Sequence, residues 1–172
     1  MIEIATRKDF DAIADLNVSA YAEFASRLLP GSWEAMQKNL RNIAKRAEVA
    51  EFMVCRLGND IVGSVGYCAA GKGDPTIFKP DMASILLLAV SPMHRGKGIA
   101  KVLTAACISR ARSDKANSIG LFTSELMQSA QHIYRSLGFQ QEAELPMRHG
   151  IRYFLFVLPL ANPASDNVNS AE

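Results

Sequence analysis

Leu88-Ala89-Val90-Ser91-Pro92-Met93-His94-Arg95-Gly96-Lys97-Gly98-Ile99-Ala100 is the stretch on which the reading of this chain turns. It opens as the end of an apolar run, Ala83–Val90, which lacks polar alternation and so suits a strand buried on both faces. Ser91-Pro92 ends the run. A basic turn with two glycines follows. From there Ile99, Val102, Leu103 and Ala106 recur at helical spacing, with Arg110 and Arg112 near the negative C-terminal end of the helix. The first turn of a helix presents N–H groups that have no intrahelical partner, at the positive end of the dipole. Gly96 and Gly98 let an anion approach the backbone closely, and Arg95 and Lys97 add positive charge at the same point. The combination suits a pyrophosphate. A dinucleotide fingerprint is excluded, because Gly96-x-Gly98 is followed by Lys101 where a third glycine is required, and the strand lies midway along the chain.

Working outward, Ile2–Ala5 is compatible with a first strand, and Thr6-x-x-Asp9 has the form of a capping box ahead of Phe10, Ile13, Leu16 and Ala20. Tyr21-Ala22-Glu23-Phe24 is positioned to line a substrate cleft. Ser32 can cap a second helix carrying Trp33, Met36, Leu40 and Ile43 on one face. Glu51–Leu57 and Ile61–Ala70 read as strands joined by Gly58-Asn59-Asp60, a hairpin signal, with Gly63 and Gly66 suggesting a bulge or a close neighbour. Gly71-Lys72-Gly73-Asp74-Pro75 lacks the Gly-Lys-Ser/Thr helix opening of a P-loop and reads as a mobile connection. Beyond the central helix come a strand at Ser118–Thr123, a short helix at Ser129–Leu137 closed by Gly138, and strands at Phe139–Glu144 and Arg152–Leu158. Residues 1–160 are expected to form one domain. Residues 161–172 lack apolar periodicity and are expected to be a disordered tail.

The chain has 172 residues, 49% hydrophobic and 21% charged, with a mean hydropathy of +0.05. Those values describe one packed domain and argue against disorder or low complexity. No apolar run approaches the ~20 residues of a spanning helix, and the N-terminus has no basic region leading into an apolar stretch. A formal charge of +2 is too small and too dispersed for a nucleic-acid binder. Cys55, Cys68 and Cys107 are odd in number, lack C-x-x-C spacing and sit in apolar stretches, as buried free thiols in a reducing compartment would. With His94, His132 and His149 scattered, no metal site is expected. The expected setting is cytoplasmic.

Arg95-x-x-Gly98-x-Ala100, led in by Val90, Pro92 and Gly96, resembles the (Q/R)-x-x-G-x-(G/A) signature of the GCN5-related N-acetyltransferases (GNAT). Ala130-x-x-x-Tyr134-x-x-x-Gly138-Phe139 resembles a second mark of that family at the expected distance, and the order β–α–α–β–β–β–α–β–α–β–β is similar over roughly residues 1–160. The resemblance implies an α/β (α+β) GNAT fold: a mixed, mostly antiparallel central sheet of about seven strands flanked by four helices.

The resemblance further implies acetyl-CoA as co-substrate and no metal. The amides of Gly96, Lys97, Gly98, Ile99 and Ala100, with Arg95, would hold the pyrophosphate, and Leu88, Ala89 and Val90 would pair with the pantetheine arm as an added strand. Tyr134 would protonate the departing thiolate; its bland alternative is a core aromatic. Glu125 and Asp81 are candidate general bases. One departure is Met127, where family members often carry an asparagine and where methionine cannot donate a hydrogen bond. The implied reaction is direct transfer of acetyl to a primary amine, on a small-molecule or peptide acceptor, with neither nucleic acid nor membrane as partner and a homodimer left open. A non-catalytic acyl-CoA-binding sensor is the alternative on the same fold.

Overall fold

The computed structural model describes residues 1–160; the expected tail at 161–172 lies outside them. Seven strands form one sheet: β1 Ile2–Ile4, β2 Glu51–Leu57, β3 Asp60–Cys68, β4 Met82–Val90, β5 Ser118–Ser124, β6 Gln140–Arg148 and β7 Ile151–Pro159, in the order β1-β2-β3-β4-β5-β7-β6. Every neighbouring pair is antiparallel except β4 and β5. That parallel pair needs a crossover, which the central helix supplies. The helices are α1 Phe10–Tyr21, α2 Ser32–Arg41, α3 Ile43–Arg46, α4 Ile99–Ser113 and α5 Gln128–Ser136. The expectation of four helices is therefore corrected to five. Asn42, at φ −82° and ψ 54°, interrupts the second predicted helix, so Ile43 opens a separate turn. Ser32 is already helical, and Gly31, in the left-handed region, stands at the cap position instead.

The period-two alternation of the strands sorts the core into two layers. Phe52, Val54 and Cys68 pack with Ile13 of α1 and Ile43 of α3. Met53, Val65, Tyr67 and Ile85 pack with Leu103, Cys107 and Ile108 of α4 and with Tyr134 of α5. β4 contributes to both layers, which is why its sequence shows no alternation. The Asp9 carboxylate accepts the Thr6 N–H at 2.8 Å and pairs with Arg56 at 2.6 Å, tying the start of α1 to β2. Tyr67 donates to Asp114 at 2.7 Å and pins the far end of α4.

Two features set where α4 begins. β3 carries an extra residue between Gly63, paired with Cys55, and Ile61, paired with Arg56, so the bulge foreseen there is present. Gly63 also has the close neighbour: a Cβ on it would lie 2.6 Å from Ile99 Cγ2 and 3.0 Å from Leu103 Cδ1. The first turn of α4 is seated directly on that bare backbone. The Gly71–Pro75 segment is a connection that leads into a turn rather than a helix. Asp74 accepts from the Thr76 N–H and hydroxyl, and buried Phe78 anchors the chain beyond it.

Replacing a strand glycine by alanine ordinarily stabilises by restricting the unfolded chain. At Gly63 the sign should reverse, since the β-branched Ile99 cannot swing its methyl aside. Gly63→Ala should lower the unfolding free energy by about 1–3 kcal/mol, the range for overpacked cores, as read by urea denaturation. Unchanged or increased stability would show that α4 is not seated on Gly63.

Candidate active site

β4 and β5 pair only at Met82–Ser118, Ala83–Ile119 and Ser84–Gly120, and then part. β5 continues fully paired with β7 through Ser124, whereas β4 bends away. The bend is a bulge: Ser64 pairs with Ala89 and Gly66 with Leu86, so Leu87 and Leu88 together oppose Val65. Leu87 takes up the extra residue at φ 51°, a left-handed conformation costly for leucine. A bulge of this kind increases local twist and re-aims the backbone. From Ile85 to Val90, β4 therefore has β3 on one side and a gap on the other.

The gap opens into a cavity of about 350 Å³, walled by Ile85–Leu88 of β4 and Leu121–Ser124 of β5. Tyr21 and Phe24 line it, as their position in the sequence suggested, and the Tyr21 hydroxyl donates to the Leu88 carbonyl at 3.2 Å. The turn joining β6 and β7 covers the cavity. His149 and Gly150 both have positive φ (54° and 75°), as a type I′ hairpin turn requires. The His149 carbonyl accepts the Leu29 N–H at 3.2 Å, so the hairpin docks on the α1–α2 connection.

Tyr134 also lines the cavity and is 4% exposed. The spacing of its motif has a physical cause. Phe139 N–H donates to the Tyr134 carbonyl and Gly138 N–H to the Arg135 carbonyl, both at 3.0 Å, with Gly138 at φ 97°. That is a Schellman motif, and the Tyr134 and Phe139 rings, 5.9 Å apart, form its apolar contact. Tyr134 is thus locked at the third-last helical position and packs on Phe156 as well. Its hydroxyl has no hydrogen-bond partner among the described residues. Burial pushes its pKa far above the ordinary phenol value, with the nearby Tyr21 adding to the effect, so the phenol is protonated at neutral pH.

Leu88, Ala89 and Val90 end the edge of β4 that β5 leaves free, and the glycine turn follows directly beyond them. Gly96 (φ 73°) and Gly98 (φ 79°) are both left-handed, and a Cβ added to either would meet nothing within 4 Å. The turn is open to a ligand. Gly98 caps α4, leaving the first-turn amides at Ile99 and Ala100 exposed to it, and no acidic residue occupies that turn. Lys97 is exposed. The Arg95 side chain is engaged elsewhere: it donates to the Ala20 carbonyl at 2.8 Å and pairs with Glu23, strapping the glycine turn to the end of α1.

Neither candidate base lines the cavity. Asp81 lies ahead of β4, at the opposite end of the strand from the gap, and accepts from Asn117 at 2.9 Å. Glu125 accepts the Arg152 N–H at 3.1 Å and pairs with its guanidinium, contacts that hold its pKa below the usual carboxylate range. Met127 does line the cavity, at the N-cap of α5, where an asparagine would have capped the helix and methionine leaves it without a side-chain bond. Among the described residues no three His, Cys, Asp or Glu gather as a metal site, and no helix is long and apolar enough to cross a membrane.

The model of the acetyltransferase (GNAT) family matches residues 10–139, and the chain belongs to that family. It is 37% identical over 93 residues to N-acetyltransferase 8 of Mus musculus, covering 54% of this chain and 40% of the relative. It is 30% identical over 136 residues to N-acetyltransferase 8B of Homo sapiens, covering 70% and 59%. The chain thus spans about half the length of these relatives. Its fold is similar to the ribosomal-protein-S18-alanine N-acetyltransferase of Escherichia coli (TM-score 0.71, 17% identity, 98% and 97% covered). It is also similar to a Salmonella typhimurium protein solved with acetyl-CoA (TM-score 0.69, 18% identity, 97% of each chain).

Gly98 separates conformational strain from crowding, because space around it is free while its φ is not. Gly98→Ala should destabilise the ligand-free protein by about 1–2 kcal/mol, the cost of a left-handed non-glycine residue, in chemical denaturation. No loss would mean the turn relaxes to another conformation.

Proposed function

We propose that this chain is an acetyl-CoA-dependent N-acetyltransferase that acetylates a primary amine within a ternary complex. The observation that carries the reading is the parting of β4 and β5 into a cavity walled by Tyr134, immediately before an open, cationic glycine turn. The residues fit the co-substrate. The amides from Gly96 to Ala100 suit the pyrophosphate, and the free edge of Leu88, Ala89 and Val90 suits the amide-bearing pantetheine arm as an added strand. Lys97 supplies charge to the turn, and Arg95 contributes by holding the turn in place. Bound acetyl-CoA supplies a thioester carbon for the amine to attack and a thiolate to leave.

Backbone N–H groups at the bulged end of β4 are the natural donors to charge growing on an acyl oxygen there. Tyr134 is the donor toward sulfur. A phenol that were merely a core aromatic would be expected to find a partner for its hydroxyl when buried; this one keeps its proton and has none among the described residues. The raised pKa also limits the role. Outright surrender of the proton is costly, although the same burial makes a thiolate more basic, so Tyr134 acts by donating a hydrogen bond that strengthens as charge builds.

No carboxylate base is required. Three fixed cations, Arg46, Lys72 and Arg148, line the cavity against the single carboxylate of Asp74. Such surroundings disfavour an ammonium relative to the neutral amine, which is the nucleophile, and water can carry the proton away. An amine of this kind fits a small-molecule or peptide acceptor.

Gly98→Glu should abolish acetyl-CoA binding in calorimetry while far-ultraviolet dichroism stays native, since bulk and negative charge enter the pyrophosphate position. Retained affinity in the folded variant would remove the assignment of the turn. Tyr134→Phe preserves ring packing and should leave acetyl-CoA affinity nearly unchanged. Its single-turnover acetyl transfer should slow by roughly 10²–10⁴. Transfer at the wild-type rate would make Tyr134 a core aromatic.

A further inference from the structure

Arg46 is the residue that neither the glycine turn nor Tyr134 accounts for. It ends α3, in the layer formed by α1 and α3, on the opposite face of the sheet from α4 and its glycine turn. Its side chain is half-buried and lines the cavity. Its Nε donates to the Asn39 carbonyl at 3.3 Å, which fixes the guanidinium without neutralising it. Among the described residues no carboxylate pairs with it. The polar groups it faces are the Cys68 thiol and the Tyr21 hydroxyl, both uncharged at neutral pH because burial raises their pKa values, that of Tyr21 to about 12.

A guanidinium taken partly out of water without a counter-ion is costly unless something repays it. The pyrophosphate does not, since none of Gly96 to Ala100 walls the cavity that Arg46 lines. The neighbouring cations aggravate the imbalance: Lys72 and Arg148 line the same cavity, and the Asp74 carboxylate beside them is held by Thr76 and faces Arg148 rather than Arg46. Arg148 is held over the Phe122 ring at 5.3 Å, so its charge too is kept at the wall. A guanidinium fork matches a carboxylate or phosphate with paired hydrogen bonds.

We propose that the acceptor amine carries an anionic group, a carboxylate or a phosphate, and that Arg46 holds that group while the amine is presented to the thioester. The inference rests on the acetyltransferase reading and narrows it to amines that are not polycations. It also joins the two electrostatic demands of the site. The anion anchors the substrate against the cations that keep its amine neutral.

The test uses pairs that share a primary amine and differ in carrying the anionic group: leucine against leucinamide, and phosphoethanolamine against ethanolamine, as acceptors with acetyl-CoA, compared per concentration of neutral amine. In at least one pair the anionic member should show a kcat/KM higher by about tenfold or more, and which pair does so separates carboxylate from phosphate. Arg46→Met should abolish that preference and Arg46→Lys should restore part of it, with acetyl-CoA affinity unchanged in both. A readout independent of turnover is calorimetric binding of N-acetylleucine against N-acetylleucinamide, and of phosphoethanolamine against ethanolamine, to the wild-type protein and to Arg46→Met. Equal handling of both members of both pairs in turnover and binding overturns the proposal, as does a preference that survives Arg46→Met. Absence of acetyl transfer with Arg46-dependent anion binding intact would instead overturn the acetyltransferase reading and leave the anion site standing.

Discussion

Parallel strands β4 and β5 share only three register pairs, and the rest of the molecule is arranged around the place where they stop. On one side of the gap, β5 stays straight because β7 pairs with it along its whole length. On the other, Leu87 absorbs an extra residue at positive φ, and β4 turns its last residues away from β5 while staying paired with β3 in a register shifted by one. The sheet therefore stays continuous through its antiparallel pairs yet presents an unsatisfied edge in its middle, a location otherwise avoided because free strand edges invite pairing. Such an edge persists where something else uses it.

Three supports make the gap a site rather than a defect. Gly63 lets α4 sit close on β3, so the helix N-terminus starts beside the end of β4. The Schellman closure at Gly138 fixes the rotation of Tyr134 into the gap from the α5 side. The docking of His149 on Leu29 closes the opposite wall, bringing the hairpin of the last two strands onto the first two helices. Each support is a backbone arrangement that one or two residues of particular φ or size permit, so the geometry tolerates wide variation elsewhere. That agrees with close structural similarity at identities below one in five.

Charge is divided in the same way as structure. Carboxylates near the gap are spent on partners: Glu23 on Arg95, Glu125 on Arg152, Asp74 on Thr76. The groups that line the cavity include the phenols of Tyr21, Tyr134 and Tyr153, the Cys68 thiol, the Lys72 ammonium and the guanidinium groups of Arg46 and Arg148. On the function proposed above, acid–base work falls to the field of the cavity itself rather than to a dedicated carboxylate.

Much of this was legible in the primary structure because it depends on local rules. The strand and helix periods, the glycine turn ahead of α4, the hairpin at Gly58 and the closure at Gly138 each follow from a few consecutive residues whose allowed φ and side-chain spacing leave little choice. The resemblance to the family was carried by two such local motifs, and the family match extends over residues 10–139. The interruption at Asn42, the bulge at Leu87 and the destination of the Arg95 side chain were not legible, since asparagine, leucine and arginine take many conformations and only their neighbours in space select one. The placement of the base candidates was hidden for the same reason: Glu125 is near the gap in sequence but pairs with Arg152, and Asp81 is carried to the far end of its strand. Arg46 stood as one basic residue among nineteen. By itself the sequence determined the elements and the two backbone motifs, because those are set by local sterics. The tertiary structure alone decided which charges meet at the cavity, because that depends on residues tens of positions apart being folded onto one wall.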